Sequence, residues 1–364
     1  MGPRKGFRSF IKLRFDLWLF AAILILSFWG LLSLAGVSGT DGLFFKKQLF
    51  FFFTGLLVFF AVSSVDYRIF RNHSLPSVLF LGTGLLLLLM TLQAAPVRGV
   101  TAWLHLPLGF SFETSEIVKL ALILFLARYF SSKKGRKGAV AISAIPVFAI
   151  IFLVFLQPDF GSAVILFFIW LGGVLLQGLT RRQIMTAVLV LLAVSLLASV
   201  FFLEPYQKSR ISSFFSSLSG RGGESYNVTQ AKIAIGSGGL WGNGFGQGTQ
   251  AKYGLLPEAK SDFAIAALVE QFGFSTLVLV LGMYWVILNR LFFIGARVND
   301  NFSRFFISLF LIYFFSHVVI NLGMNLGLLP VTGLPLPFIS YGGSYFLSLM
   351  ASFGIVESIR RRNM

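Results

Sequence analysis

Long runs of apolar residues, separated by short polar segments, follow one another along most of the chain. Most runs reach the ~18–20 residues that a helix needs to cross a hydrocarbon core of ~30 Å. The pattern predicts ten membrane spans, at residues 17–37, 48–65, 75–93, 112–130, 139–156, 161–180, 184–203, 263–289, 303–325 and 344–358. We therefore expect an all-α, polytopic membrane protein, with one transmembrane domain over residues 1–364.

Composition agrees with this pattern and excludes several other classes of protein. The chain is 56% hydrophobic and contains 44 Phe, which is more apolar surface than a soluble domain can hide. It has no Cys and only three His, so disulfides and thiolate nucleophiles are excluded and a His-based metal site is improbable. The first apolar run is too long for the core of a cleaved signal peptide, and we interpret it as a membrane helix that directs its own insertion.

Positive charge is distributed in a way that predicts the orientation of the chain. The net charge is +17, which at first suggests nucleic acid as a partner. If the N-terminus is cytoplasmic, however, 19 of the 30 Lys and Arg fall in cytoplasmic segments and 9 in external ones. This bias is typical of membrane proteins with the basic loops inside, and such loops also contact anionic lipid. We expect both termini in the cytoplasm and no nucleic-acid role.

Two external segments differ from simple connections. Residues 204–262, between predicted helices 7 and 8, form the only long polar stretch, and long structured loops are usually functional. Residues 326–343 carry no charge and contain Pro330, Pro335 and Pro337. We expect the first segment to be an external catalytic loop.

Asp262 is the leading candidate for chemistry. It ends the polar segment and directly precedes the apolar run from Phe263 to Ile287. A carboxylate at the edge of a membrane helix is costly to bury, which by default indicates a functional site. The structural alternative is that Ser261 caps the helix while Asp262 complements the helix dipole in the first turn. The pattern alone leaves both interpretations open.

Other polar residues also fall within or beside the spans. Glu116 and Lys119 are three residues apart, which places them on one helix face as an ion pair, as the lining of a buried cavity, or as both. Asp159 follows Gln157 and Pro158 at a helix start, where it is either a cap or a functional carboxylate.

A polar stripe and a glycine-rich segment complete the set of candidates. His317, Asn321 and Asn325 recur every four residues, so we expect them to form a polar core that faces protein, either as hydrogen bonds between helices or as a functional group. Residues 236–248 contain seven Gly in thirteen positions. Their N–H groups either cradle phosphate or pack a re-entrant loop.

Several motifs spread over nearly the whole chain carry a resemblance to a known family. They are Arg98–Trp103, Thr114–Lys119, Gln157–Gly161, Ala234–Leu240, Leu256–Phe263, His317–Met324, Gly327–Pro330 and Leu336–Ser344. Together they resemble the SEDS family (shape, elongation, division and sporulation) of bacterial cell-wall polymerases. The chain departs from that family at Lys260 and Ser261, where His and Thr are usual, and at Thr114, where Pro is usual.

The resemblance implies a peptidoglycan glycosyltransferase of the bacterial cytoplasmic membrane. Its substrate would be lipid II, a disaccharide pentapeptide on undecaprenyl pyrophosphate, and its partner a class B penicillin-binding protein. A divalent cation (Mg or Mn) would help the leaving group, although no ligand cluster in the sequence demands one. Details of the loops look more like the elongation member RodA than the division member FtsW. A flippase for lipid II and a scaffold for wall synthesis remain alternatives.

The resemblance also implies roles for individual residues. Asp262 would be the catalytic base. The candidate substrate-binding residues, which lie in the matched motifs or carry positive charge on the external side, are Glu116, Lys119, Asp159, Arg98, Trp103, Arg210, Lys260 and Ser340.

Overall fold

Helices make up most of the part of the chain that the structure describes. The computed structural model describes residues 15–38, 42–72, 74–93, 103–106, 110–133, 138–178, 185, 212 and 226–363. The helices before residue 180 are α1 Leu17–Val37, α2 Leu43–Ser64, α3 Arg68–Asn72, α4 Leu75–Gln93, α5 Thr114–Ser132, α6 Ala139–Leu156 and α7 Phe160–Leu176. Those after residue 225 are α8 Tyr226–Ser237, α9 Thr249–Lys252, α10 Ala264–Phe272, α11 Phe274–Arg297, α12 Asn301–Asn325 and α13 Gly343–Asn363.

One short hairpin interrupts this helical architecture. Strand β1 (Trp103–Leu106) pairs antiparallel with β2 (Phe110–Glu113), and Trp103 lies opposite Glu113 in the register. The hairpin leads directly into α5, because β2 ends at Glu113 and α5 begins at Thr114. The predicted all-α class is confirmed, with this hairpin as the one sheet among the described residues.

Six of the described helices are long and apolar enough to cross a membrane: α1, α2, α4, α6, α11 and α12. Helix α7 is also apolar but has only 17 residues. Helices α5 and α13, which coincide with two further predicted spans, have 19 and 21 residues and contain charged side chains. A polytopic membrane fold is thus confirmed, whereas the predicted span at residues 184–203 lies, apart from residue 185, outside the described residues.

The bounds of the predicted span at residues 263–289 are wrong, because two helices occupy this region and the helix long enough to span a membrane is Phe274–Arg297. Helix α10 ends at Phe272 and α11 begins at Phe274. Between them Gly273 has φ +83°, a conformation that L side chains rarely adopt, and a Cβ on it would overlap the main chain of Leu240. The glycine-rich segment therefore packs against the break, with Phe274 N–H donating to the carbonyl of Gly239 over 2.8 Å.

Helix α12 is the centre of the molecule and packs against α5, α7 and α11. Phe302, Phe306, Phe310 and Phe314 form a ladder along its first half, with successive ring centroids 6.3, 6.4 and 6.4 Å apart. The ladder follows from apolar residues four positions apart, which share one helix face. The second half of the same helix carries the polar stripe. The packed aromatic residues of the first half therefore hold the helix on which the polar residues lie.

Candidate active site

Asp262 lies in the turn that leads into α10, and its side chain is half-buried. The helix begins at Ala264 with the apolar Phe263 at the N-cap position. The hydroxyl of Ser261 donates to Glu258 Oε2 over 2.8 Å and does not cap the helix. The interpretation of Ser261 as a cap is therefore wrong, and Asp262 precedes the first turn of the helix.

The main chain of Asp262 is held by the polar stripe of α12. Nδ2 of Asn321 donates to the Asp262 carbonyl over 3.0 Å, and Nδ2 of Asn325 donates to the same oxygen over 3.1 Å. Asn321 also donates to the carbonyl of Leu334 over 2.7 Å. The structural interpretation of the stripe predicted hydrogen bonds between helices, but these run from α12 to the main chain of two loops, one of which carries the candidate base.

Two further contacts hold the residues just before Asp262. The Tyr341 N–H donates to the carbonyl of Lys260 over 2.8 Å. The Ser340 hydroxyl donates to the carbonyl of Ser261 and accepts from the Leu336 N–H over 2.9 Å. Three consecutive carbonyls, at residues 260, 261 and 262, therefore each accept a hydrogen bond from the second half of the chain. Ser340, which was predicted to bind substrate, thus stabilises this turn through its hydrogen bonds.

The carboxylate of Asp262 faces the uncharged, proline-containing segment. A Cβ placed on Gly333 would lie 3.7 Å from Asp262 Oδ2, and Gly333 has φ +76°. A Cβ on Gly161, in the first turn of α7, would lie only 2.7 Å from the carbonyl of Thr332. The start of α7, the segment around Gly333 and Asp262 are therefore neighbours, which the sequence did not predict.

His317 belongs to the same stripe but is more deeply enclosed. Its side chain is fully buried, and its ring stacks on Tyr345 with centroids 4.8 Å apart. Tyr313 meets the other side of the ring edge-on at 4.9 Å, and Nδ1 lies 3.4 Å from the Pro335 carbonyl. The residues of the predicted polar core, His317, Asn321 and Asn325, are thus all buried on α12, and Asn321 and Asn325 bind the main chain of Asp262.

Glu116 and Lys119 form a buried ion pair in α5. Lys119 Nζ lies 2.7 Å from Glu116 Oε1, and the two side chains are 0% and 1% exposed. The Tyr313 hydroxyl donates to Glu116 Oε2 over 3.4 Å. About 12 Å of helix axis separate Tyr313 from Asn321, at a rise of ~1.5 Å per residue. The ion pair thus contacts α12 at a different level from the amides that hold Asp262, and substrate binding by Glu116 and Lys119 stays a prediction.

Asp159 caps α7, as the structural interpretation predicted. Its Oδ1 accepts from the Ser162 N–H over 3.0 Å. The Ser162 hydroxyl lies 3.3 Å from that of Ser115, which donates to Glu113 Oε1 over 2.7 Å. A chain of polar groups thus joins the start of α7 to the start of α5. Glu113, which the sequence reasoning missed, is the acidic end of this chain.

Lys260 turns away from Asp262 towards α2. Its Nζ lies 4.4 Å from the centroid of the Phe44 ring, a cation–π contact. The Phe44 ring in turn meets Tyr341 edge-on at 5.2 Å. Binding of pyrophosphate by Lys260 stays a prediction.

The glycine-rich segment is bound to α10 through its own N–H groups. Asn243 donates to the carbonyl of Glu270 over 2.9 Å, and Gly244 to that of Gln271 over 3.0 Å. Gly246 donates to Gln271 Oε1 over 3.1 Å. Because these donors already have protein acceptors, the geometry favours the packing interpretation over a phosphate cradle.

Glu270 is a buried charge that the sequence reasoning missed. Its side chain is 0% exposed, and it accepts from the N–H groups of Gln250 and Ala251 over 2.7 and 3.2 Å. These are orphan donors at the start of α9, which a carboxylate satisfies well. The signal was present as an acidic residue inside a long apolar run.

Three residues predicted to bind substrate lie wholly or partly outside the part of the chain that the structure describes. Arg98 and Arg210 are not among the described residues. Trp103 lies in β1, where its main chain pairs with Glu113, and its side chain is not described. Their roles in substrate binding stay predictions.

The comparison that decides the family covers almost the entire chain. The family model for FtsW, RodA and SpoVE, described as "Cell cycle protein", matches residues 8–364. The chain belongs to this family. The resemblance to the SEDS family that the motifs indicated is confirmed, and so is the polytopic fold that it implied.

Members of the FtsW, RodA and SpoVE family with assigned names are similar over nearly their full length. Peptidoglycan glycosyltransferase MrdB from Escherichia coli strain K12 is 32% identical over 350 residues, covering 96% of this chain and 94% of its own. Probable peptidoglycan glycosyltransferase FtsW from Coxiella burnetii is 34% identical over 374 residues, covering 97% and 98%. Relatives of both names thus match to a similar degree.

Solved structures of the family agree with the fold. A chain from a peptidoglycan synthase complex, studied for the coordination of polymerization and crosslinking, aligns with TM-score 0.80 at 26% identity. That alignment covers 96% of this chain and 99% of the other. The rod shape determining protein RodA from Thermus thermophilus aligns with TM-score 0.71 at 27% identity, covering 97% and 98%. The chain is a multi-pass membrane protein of the same architecture.

Proposed function

We propose that this chain is a peptidoglycan glycosyltransferase of the bacterial cytoplasmic membrane that polymerises lipid II into glycan strands. The named relatives, matched over nearly their whole length, support the reaction class. The assignment of the site rests on the position of Asp262. Its carboxylate is half-buried at the start of α10, and its main chain is held by two amides of the central helix.

The reaction requires a base for a weak nucleophile. The 4-hydroxyl oxygen of the acceptor sugar attacks C1 of the donor sugar, and an O–C1 bond forms. The bond between C1 and the phosphate oxygen breaks, and undecaprenyl pyrophosphate leaves with the bonding electrons. Asp262 takes the hydroxyl proton as the bond forms, which is the work of a general base. A held carboxylate suits this role because proton transfer depends on geometry first.

The leaving group carries negative charge that must be stabilised. Within the described residues, no three His, Cys, Asp or Glu side chains are grouped so that they could hold a metal ion. No step proposed here depends on a metal ion. A requirement for Mg²⁺ or Mn²⁺ stays a prediction, which a chelator added to the polymerisation assay tests. Lys260 and Arg210 remain the proposed cationic partners of the pyrophosphate.

Two finer assignments form part of the proposal. We assign the chain to the elongation type rather than the division type, on the motif details that favour RodA. Depletion in a rod-shaped host would then give round cells, whereas filaments would indicate the division role. We also propose a class B penicillin-binding protein as partner, supported by the similarity to a chain from a synthase complex that coordinates polymerization and crosslinking.

The discriminating experiment separates a polymerase from a flippase. Purified protein is mixed in detergent with fluorescent lipid II, and products are separated by glycan chain length. In parallel, the protein is reconstituted into vesicles, and movement of labelled lipid II between leaflets is followed by quenching. Polymer in detergent supports the proposal. Lipid movement without polymer would favour the flippase over the polymerase. If neither activity is detected, the scaffold is the remaining alternative.

A further inference from the structure

We propose that Asn321 is a positioning residue that fixes the Asp262 carboxylate relative to the segment around Gly333. This inference rests on the proposed function, because it names the part of the fold that holds the proposed base in its reactive place. Asn321 acts through two loops and does not itself touch the reacting atoms.

The first step is that Asn321 joins two loops that are distant in the sequence. Its side-chain amide carries two hydrogens, and each has a main-chain acceptor. One goes to the carbonyl of Asp262 over 3.0 Å, and the other to the carbonyl of Leu334 over 2.7 Å. Leu334 follows Gly333, whose Cβ position lies 3.7 Å from Asp262 Oδ2. The Asn321 side chain therefore links the loop that carries Asp262 to the segment that the Asp262 carboxylate faces.

The orientation of this amide is fixed by its neighbours. Asn325, one turn later, donates from Nδ2 to Asn321 Oδ1 over 3.2 Å and to the Asn321 carbonyl over 2.9 Å. If the Asn321 amide were turned over, its oxygen would face two carbonyl oxygens and its NH₂ would face another NH₂. The orientation found gives the Asn321 NH₂ two acceptors and the Asn321 oxygen a donor.

The scaffold behind Asn321 is rigid enough to make this link effective. Asn321 is 0% exposed and lies on α12, whose first half is the packed ladder from Phe302 to Phe314. A well-packed helix does not deform continuously, so the two loops inherit its fixed position. Misplacement of a catalytic group by ~1 Å costs about 100-fold in rate. The geometry therefore predicts that a change at Asn321 lowers the reaction rate through the position of Asp262.

The experiment compares Asn321→Leu, which keeps the approximate volume and removes both donors, with Asn321→Asp, which keeps the shape of the side chain. The chemistry control is Asn289→Leu, because the Asn289 amide also donates to a main-chain carbonyl, that of Trp285, at 2.9 Å. The control for a buried polar contact is Ser143→Ala, which removes the acceptor of Trp170 Nε1. Each protein is assayed for kcat and KM with fluorescent lipid II and for thermal stability.

Two additional measurements separate positioning from mere stability. Hydrogen exchange of residues 256–264 reports whether the turn loosens when Asn321 is changed. A double-mutant cycle then combines Asn321→Leu with Asp262→Asn. If Asn321 acts through Asp262, its substitution costs little further activity once the carboxylate is gone.

The inference predicts that kcat of Asn321→Leu falls by about 10- to 100-fold per folded molecule, in line with the cost of misplacement. KM stays within about threefold, exchange of residues 256–264 accelerates, and the cycle is non-additive. Both controls keep wild-type kcat. The inference is overturned if kcat stays near wild type while stability falls, or if exchange of the turn is unchanged. Should Asn321→Leu not fold, Asn321→Asp carries the same comparison. Absence of polymer from the wild-type protein would instead refute the proposed function, and the exchange measurement would still test the link.

Discussion

Lys119 Nζ lies 2.7 Å from Glu116 Oε1, and neither side chain has access to solvent. The pair is supported from outside α5, because Ser348 donates to the Glu116 carbonyl over 3.0 Å and Tyr313 reaches its carboxylate. Two charges so enclosed must neutralise each other, since an isolated buried charge is very costly. Their contribution is therefore to be sought in the stability and helix packing of the domain.

The ion pair gives the first prediction. Glu116→Ala leaves the Lys119 ammonium buried without its partner, which should cost about 3–5 kcal/mol of unfolding free energy. The double variant Glu116→Ala/Lys119→Ala removes both charges and should be destabilised less than the sum of the two single variants. The measurement is a double-mutant cycle on thermal stability in detergent.

A second ion pair of the same spacing serves as the control. Arg360 NH2 lies 2.6 Å from Glu357 Oε1, but the Arg360 side chain is 15% exposed. Water can solvate that guanidinium after its partner is removed, so its coupling energy should be smaller. Additive losses at Glu116 and Lys119 would show that the buried pair does not interact.

The packing of the glycine-rich segment gives the second prediction. A Cβ on Gly248 would lie 2.5 Å from Oε2 of Glu270, so Gly248→Ala should displace this carboxylate from the N–H groups that it binds. Hydrogen bonds to a charged group are worth about 1.5–3 kcal/mol each, and the start of α9 should loosen accordingly. Limited proteolysis and hydrogen exchange of residues 240–255 measure the effect.

Gly236 provides a matched substitution for this test. It lies in α8, and no atom would come within 4 Å of an added Cβ. Gly236→Ala should therefore leave the protein as stable as before or slightly more stable, because Ala favours a helix by up to about 1 kcal/mol over Gly. Equal protection of residues 240–255 in both variants would contradict the assigned role of Glu270.

Topology gives the third prediction, which rests on the distribution of positive charge. The chain has no Cys, so single introduced thiols are free of background. Tyr253 and Arg297 are both exposed and are predicted to lie on opposite sides of the membrane. An impermeant maleimide added to intact cells should label Tyr253→Cys and should label Arg297→Cys only after the membrane is permeabilised. The reverse result would invert the proposed orientation.

Much of the fold could be predicted because it depends on local patterns. Apolar runs define most spans, a spacing of three residues predicts the contact between Glu116 and Lys119, and the position of Asp159 before a helix predicts its cap. Each of these features is decided by residues that are close together in the sequence. The structure confirms the ion pair and the cap.

The parts that could not be predicted depend on contacts between distant segments. The break at Gly273 is invisible in an apolar run, because it is set by the main chain of Leu240 packing against it. The partners of Asn321 are equally hidden, since its periodicity shows only that it faces protein. The periodicity of the stripe correctly predicted which side chains face protein. Only the folded chain shows that two of them bind the main chain of Asp262.

The central claim is that Asp262 is the base of a lipid II polymerase, and Asp262→Asn tests it most directly. Asn keeps the size of the side chain and its hydrogen bonding but cannot accept the proton. The variant should insert and fold like the wild type, as judged by thermal stability, while polymer formation from labelled lipid II falls by about 10²- to 10⁴-fold. Glycan chains of near wild-type length and amount from Asp262→Asn would contradict the account.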